Sequence, residues 1–144
     1  MSWENGSQLC DAILMQASDA IIFADRDGVI RLWNLGAEVL FGFVAAEVIG
    51  NSLDVIIPER FRQAHWEGFH RAVTSGHTRK GNSVRTTRAV HKSGRKLYVD
   101  MSFGLIKDDS GSVIGSVAVA RDGSVRHAAE KALRERLAVL EGSS

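Results

Sequence analysis

The chain has 144 residues, a 44% hydrophobic fraction and a formal net charge of +1. That is enough length for one domain with a short appendage, and a balance that excludes both disorder and a general attraction to nucleic acid. The single cysteine, Cys10, excludes an internal disulfide and suits a reducing cytoplasm; no run approaches the roughly 18 apolar residues of a membrane span, so no membrane contact is expected of this chain.

In chain order, residues 8–17 suit a leading helix. The apolar runs 20–24 and 29–33 flank Asp25-Arg26-Asp27-Gly28, an Asp/Gly turn that reads as a β-hairpin. Asn34 suits the N-cap of a helix over 36–41 that stops at Gly42, and 45–49 gives another helical turn before Gly50. Pro58 opens a helix over 59–74, closed by Ser75-Gly76, on which Phe61, His65, Phe69 and Ala72 form one apolar stripe. A histidine in such a stripe needs a hydrogen-bond partner or a metal, because an unpaired buried polar group costs roughly 1–3 kcal/mol.

The remaining third is extended. Leu97, Val99, Met101, Phe103 and Leu105 alternate with Tyr98, Asp100, Ser102 and Gly104, the pattern of a strand with one buried face. Strands over 83–91 and 113–120 flank it through the turns Lys92-Ser93-Gly94-Arg95 and Asp108-Asp109-Ser110-Gly111. The expected fold is α+β: a five-stranded antiparallel sheet covered by short helices on one face, with N-terminal and C-terminal flanking helices. Residues 8–124 make the domain. Residues 125–144 make a connector helix, capped by Ser124, whose Leu133, Leu137 and Leu140 are spaced four then three. That stripe suits a dimer contact or a connection to a downstream module; the alternative is packing on its own domain.

No Gly-x-Ser-x-Gly, phosphate-binding Gly-rich loop, Cys-x-x-Cys or His-Glu-x-x-His motif occurs, so no catalysis is expected. His70, His77, His91 and His127 show no ligand spacing with one another. Arg79, Lys80, Arg85, Arg88, Lys92, Arg95 and Lys96 alternate with apolar residues and read as a solvated sheet edge, not as a nucleic-acid surface.

Several segments, in order, resemble the PAS family: Asp25-Arg26-Asp27-Gly28-Val29-Ile30 before Trp33-Asn34, Ala37-Glu38 with Leu40-Phe41-Gly42, Glu47-Val48-Ile49-Gly50, Ile57-Pro58-Glu59-Arg60, His91-Lys92-Ser93-Gly94-Arg95, and Arg121-Asp122-Gly123-Ser124. The resemblance implies a cytoplasmic sensor and dimerisation module of a larger signalling protein with a downstream output domain. Its pocket, between sheet and helices, holds haem, flavin, a small organic ligand or nothing. Photochemistry of the light-oxygen-voltage type is not implied, since Phe61-Arg62-Gln63-Ala64-His65 contains no cysteine.

The stretch from Pro58 to His65 is similar to the FixL-type oxygen sensors. On that likeness His65 ligates haem iron, Arg71 pairs with a haem propionate and Arg85 hydrogen-bonds bound oxygen. Met101 and Phe103 stand where that group has aliphatic residues, as does Lys80; Phe103 would crowd the pocket, and Met101 offers a thioether as a sixth ligand. The expectation is therefore a haem-binding homodimer that senses oxygen or another gas. The alternatives are a ligand-free dimerisation module and a pocket for a non-haem small molecule, with His65 hydrogen-bonded inside the domain. The signal is expected to pass from Arg85, Met101 and Phe103 through Asp122 to the terminal helix. Gly123 replaces the family's aliphatic residue and is expected to soften that junction.

Overall fold

The structure, a computed structural model, describes residues 5–78 and 83–142. The order is helix α1 (Gly6–Gln16), strands β1 (Ala20–Asp25) and β2 (Ile30–Trp33), helices α2 (Leu35–Phe41) and α3 (Ala45–Val48), two 3-10 turns (Leu53–Ile56 and Glu59–Phe61), helix α4 (Arg62–Ser75), strands β3 (Arg85–Val90), β4 (Lys96–Lys107) and β5 (Val113–Asp122), and helix α5 (Ser124–Gly142). The five strands form one antiparallel sheet in the order β2-β1-β5-β4-β3, so the first hairpin joins the later three-stranded meander through the β1–β5 ladder. The expected sheet and flanking helices are present. The helix read as 59–74 divides at Arg62, because the turn after Pro58 is 3-10 and no side chain caps the α-helical start.

One face of the sheet carries the core. Ile22, Trp33, Leu97 and Val99 are buried against Phe41, Val48, Ile56, Phe69 and Val73 from the helices and turns. Trp33 and Phe41 rings lie 5.4 Å apart, and the Trp33 indole donates to the Phe43 carbonyl at 3.0 Å. Asn34, wholly buried, does more than cap α2. Its Oδ1 accepts from the amides of Ala37 (3.0 Å) and Ile21 (2.8 Å), and its Nδ2 donates to the carbonyls of Leu14 (2.9 Å) and Asp19 (3.0 Å). One side chain thus joins α1, β1 and α2 and meets the demand that buried polar groups be paired.

Helix α5 takes the other face. Tyr98 alternates with buried Leu97 and Val99, so its ring points away from the core, where it stacks on His127. No residue of α5 is buried, and Leu133, Leu137 and Leu140 remain exposed. Among the described residues no helix is long and apolar enough to cross a membrane.

Candidate functional site

The start of α4 is fixed from three directions. Arg62 donates through Nε to the Ile57 carbonyl (3.1 Å) and through Nη2 to the Asp54 carbonyl (3.2 Å). The Trp66 indole donates to Asp54 Oδ1 at 2.7 Å. The same indole lies directly on Gly28, where a Cβ would overlap the ring and where φ is +77°, so glycine is required both for the hairpin turn and for the approach of α4. His65 is therefore carried on a helix pinned to the turn at Leu53–Ile56 and to the β1–β2 hairpin.

His65 is half-buried. Its ring meets the Trp66 ring edge-on at 4.7 Å and lies nearly parallel to Phe69 at 6.0 Å. Its Nδ1 is buried and has no hydrogen-bond partner among the described residues. Burial pushes its pKa below the usual histidine value, against the opposing pull of Asp54 and with the help of His70, so the neutral imidazole is favoured.

Above His65 lies a cavity of about 690 Å³ between the core face of the sheet and the turns leading into α4. That volume falls within the usual range for small-molecule pockets. The sheet wall is made by Ile22, Ala24, Met101, Phe103 and Ala118, with Thr87 and Ser116 as polar points; the opposite wall includes Leu53, Ile56, Phe61 and His65. The structure thus brings His65, Met101 and Phe103 together, and Phe103 leaves the cavity open.

Arg71 and Arg85 are not brought in. Arg71 is exposed and takes no part in the wall, because six residues turn α4 by roughly 240° from His65. Arg85 pairs with Met101 in the β3–β4 register and so stands on the cavity's side of the sheet, but at the very start of the edge strand it is exposed and short of the wall, which begins at Thr86. Lys80 and Arg79 lie outside the described residues. In place of Arg71 and Arg85, two other arginines line the cavity: Arg60, and Arg88, which the sequence placed on a solvated sheet edge. The Arg60 guanidinium is 4.7 Å from the centre of the Phe61 ring and that of Arg88 is 6.0 Å from it, while Arg88 is also 5.5 Å from the Tyr98 ring. Phe61 directly after Arg60 was the one local signal for this pairing; the reach of Arg88 to the same ring has none in the sequence.

Among the described residues no group of three or more His, Cys, Asp or Glu side chains is placed to hold a metal ion.

The chain is similar to the oxygen sensor protein DosP of Escherichia coli, with 28% identity over 130 residues, which is 90% of this chain and 15% of that protein. It is also similar to the sensor protein FixL of Bradyrhizobium diazoefficiens, with 39% identity over 54 residues, 38% of this chain and 11% of that protein. The chain therefore spans less than a sixth of either relative. Among solved structures, the PAS domain of a Colwellia psychrerythraea protein matches with a TM-score of 0.71 and 21% identity, covering 82% of this chain and 97% of that one. An RNA-binding light-oxygen-voltage receptor matches with a TM-score of 0.77 and 21% identity, covering 99% of this chain and 39% of that one. At these identities the two structures show a shared fold. The family model for the PAS fold matches residues 8–123, and the chain belongs to the PAS family.

Proposed function

We propose that this PAS sensor domain binds haem in the cavity, with His65 as the protein ligand to iron, and that it reports a diatomic gas such as oxygen. The observation that carries the reading is His65, an imidazole held towards its neutral form by burial, on the wall of a cavity of about 690 Å³. A neutral imidazole that lines a cavity can offer a ring nitrogen to a metal bound there. A lone imidazole, without neighbouring protein ligands, suits a metal that brings its own equatorial ligands. The similarity to the oxygen sensor protein DosP over 90% of the chain points the same way. The chemistry that haem supplies when bound is reversible coordination of a small gas.

What the chain's own residues do is hold and relay. His65 stays neutral and oriented because Trp66 and Arg62 lock the first turn of α4. Met101 places a thioether in the same wall, available as a second protein ligand. Thr86 lines the cavity and donates to Asp100 at 2.8 Å, and Arg126 of α5 contacts both. A change in the cavity wall at β3 is therefore felt at the root of the terminal helix. The domain works without catalysis of its own, as a cytoplasmic homodimer whose α5 leads to an output domain. The size of the cavity weighs against a module whose pocket is filled by its own side chains.

Protein purified from haem-replete cells is expected to show an intense Soret band that His65→Ala abolishes or strongly shifts while the far-ultraviolet circular dichroism is kept. Colourless protein that also takes up no added haemin would end the haem reading.

A further inference from the structure

We infer that Arg60 and Arg88 form the carboxylate-recognition site of this cavity and select a ligand with an apolar body and an anionic end. The inference rests on the haem reading for the identity of that ligand, whose two propionates are the anionic end, and it moves their recognition away from Arg71.

Both arginines line the cavity that His65 lines, and both guanidiniums approach the same Phe61 ring. Among the described residues neither arginine forms a salt bridge with a carboxylate, whereas Arg31, Arg62, Arg121 and Arg126 all do. Two like charges gathered on one ring repel each other, and the Phe61 face offsets only part of that repulsion. An anion bound between cavity and solvent removes it. Guanidinium is well suited to the task, because its fork of N–H donors matches a carboxylate in two parallel hydrogen bonds. Arg88 is also steadied by Tyr98, which limits the side-chain freedom lost on binding. The rest of the wall, from Ile22, Leu53, Ile56 and Ala118, offers an apolar surface to the ligand's body. Arg60, Arg88 and Arg71 are all exposed, and Arg71 likewise forms no salt bridge among the described residues; what sets it apart is that it takes no part in the wall.

The test titrates the full chain with haemin and with haemin dimethyl ester, which keeps the iron and macrocycle but has no free carboxylate, and follows the Soret band. The wild type is expected to bind the diacid about tenfold more tightly than the diester, with the gap narrowing as salt is raised. Arg60→Gln with Arg88→Gln should weaken haemin binding about tenfold and abolish the preference, while the diester binds as before. Arg60→Lys with Arg88→Lys, which keeps the charge and most of the stem, should retain part of the preference and guards against a folding defect. Arg71→Gln should leave the preference intact. A diacid preference that survives the double Gln variant, or disappears in Arg71→Gln, overturns the inference while leaving His65 ligation standing. No Soret band from either compound with wild-type protein overturns the haem reading, and this inference with it.

Discussion

Tyr98 of β4 and His127 of α5 stack face to face, with ring centres 3.7 Å apart and planes 12° from parallel. Beside them Arg126 donates through Nε to Asp100 Oδ2 at 3.1 Å and contacts Thr86 and Glu130. The glycine that departs from the family pattern serves this latch. A Cβ at Gly123 would stand 2.8 Å from Asp100 Oδ1, and the Gly123 amide donates to the Tyr98 carbonyl at 2.8 Å while its carbonyl accepts from the His127 amide at 2.8 Å. Instead of softening the junction, Gly123 makes room for the carboxylate that holds the helix. Gly123→Ala should therefore displace Asp100 and speed hydrogen exchange in the first two turns of α5, with exchange in β1 and β5 unchanged.

The latch has a defined pH dependence. Hydrogen bonds from Arg126, and then from Thr86, hold the Asp100 carboxyl below its ordinary value of 3.8. A carboxyl whose folded pKa is depressed contributes stability above the unfolded pKa and loses it as pH falls through the folded one. Docking of α5 should then be flat between roughly pH 5 and 8 and fail only in acid, below the usual carboxylate range. Asp100→Asn should remove that acid transition and leave α5 looser at every pH above it, as read by helix protection in hydrogen exchange.

Asn34→Ala removes five hydrogen bonds from a wholly buried position and leaves the amide of Ile21 and the carbonyl of Asp19 without their partner. A loss of about 3 kcal/mol in urea unfolding is expected, more than a capping residue alone would cost. A loss below about 1 kcal/mol would mean that water takes over those groups and that the side chain is only a cap.

Trp66→Phe keeps an aromatic ring over Gly28 but deletes the donor to Asp54. The expected cost is about 1 kcal/mol of stability. Because His65 is the adjacent residue on the same pinned turn, a larger relative effect is expected on haemin binding, read as a broadened or shifted Soret band. Unchanged spectra with lowered stability would show that the indole holds the fold without orienting the imidazole.

How far the sequence carries the fold and the site follows from the range of the interactions involved. The strands were legible because Leu97 to Leu105 alternate with a period of two and because Gly28, Gly94 and Gly111 mark the turns, all short-range signals. The place of His65 was legible from the helical stripe. The arginines were not. Spacing along the chain placed Arg71 and Arg85 by analogy, while the wall is set by how α4 rotates and by where the edge strand β3 begins, and both depend on packing. The same limit applies to Asn34, readable as a cap but not as the tie to Leu14 twenty residues earlier, and to Arg126, whose partners Asp100 and Thr86 lie 26 and 40 residues away.

The outer stripe of α5 leads to the last expectation. Leu133, Leu137 and Leu140 are 59%, 51% and 66% exposed, and α5 is tied to the sheet near its first turns, through Arg126 and His127. An isolated helix of this length gains little stability unless its apolar face is covered. The stripe follows the spacing of a two-helix seam, so a second copy of the same helix is the cover that best fits it. The full chain should sediment as a dimer at micromolar concentration, and Leu133→Asp with Leu137→Asp should make it monomeric while the sheet stays folded. Removing residues 126–144 should have the same effect, because the five strands and the covering helices all lie before them. If instead the full chain is monomeric and truncation sharply lowers the melting temperature, α5 is a structural part of its own domain and the dimer seam does not exist.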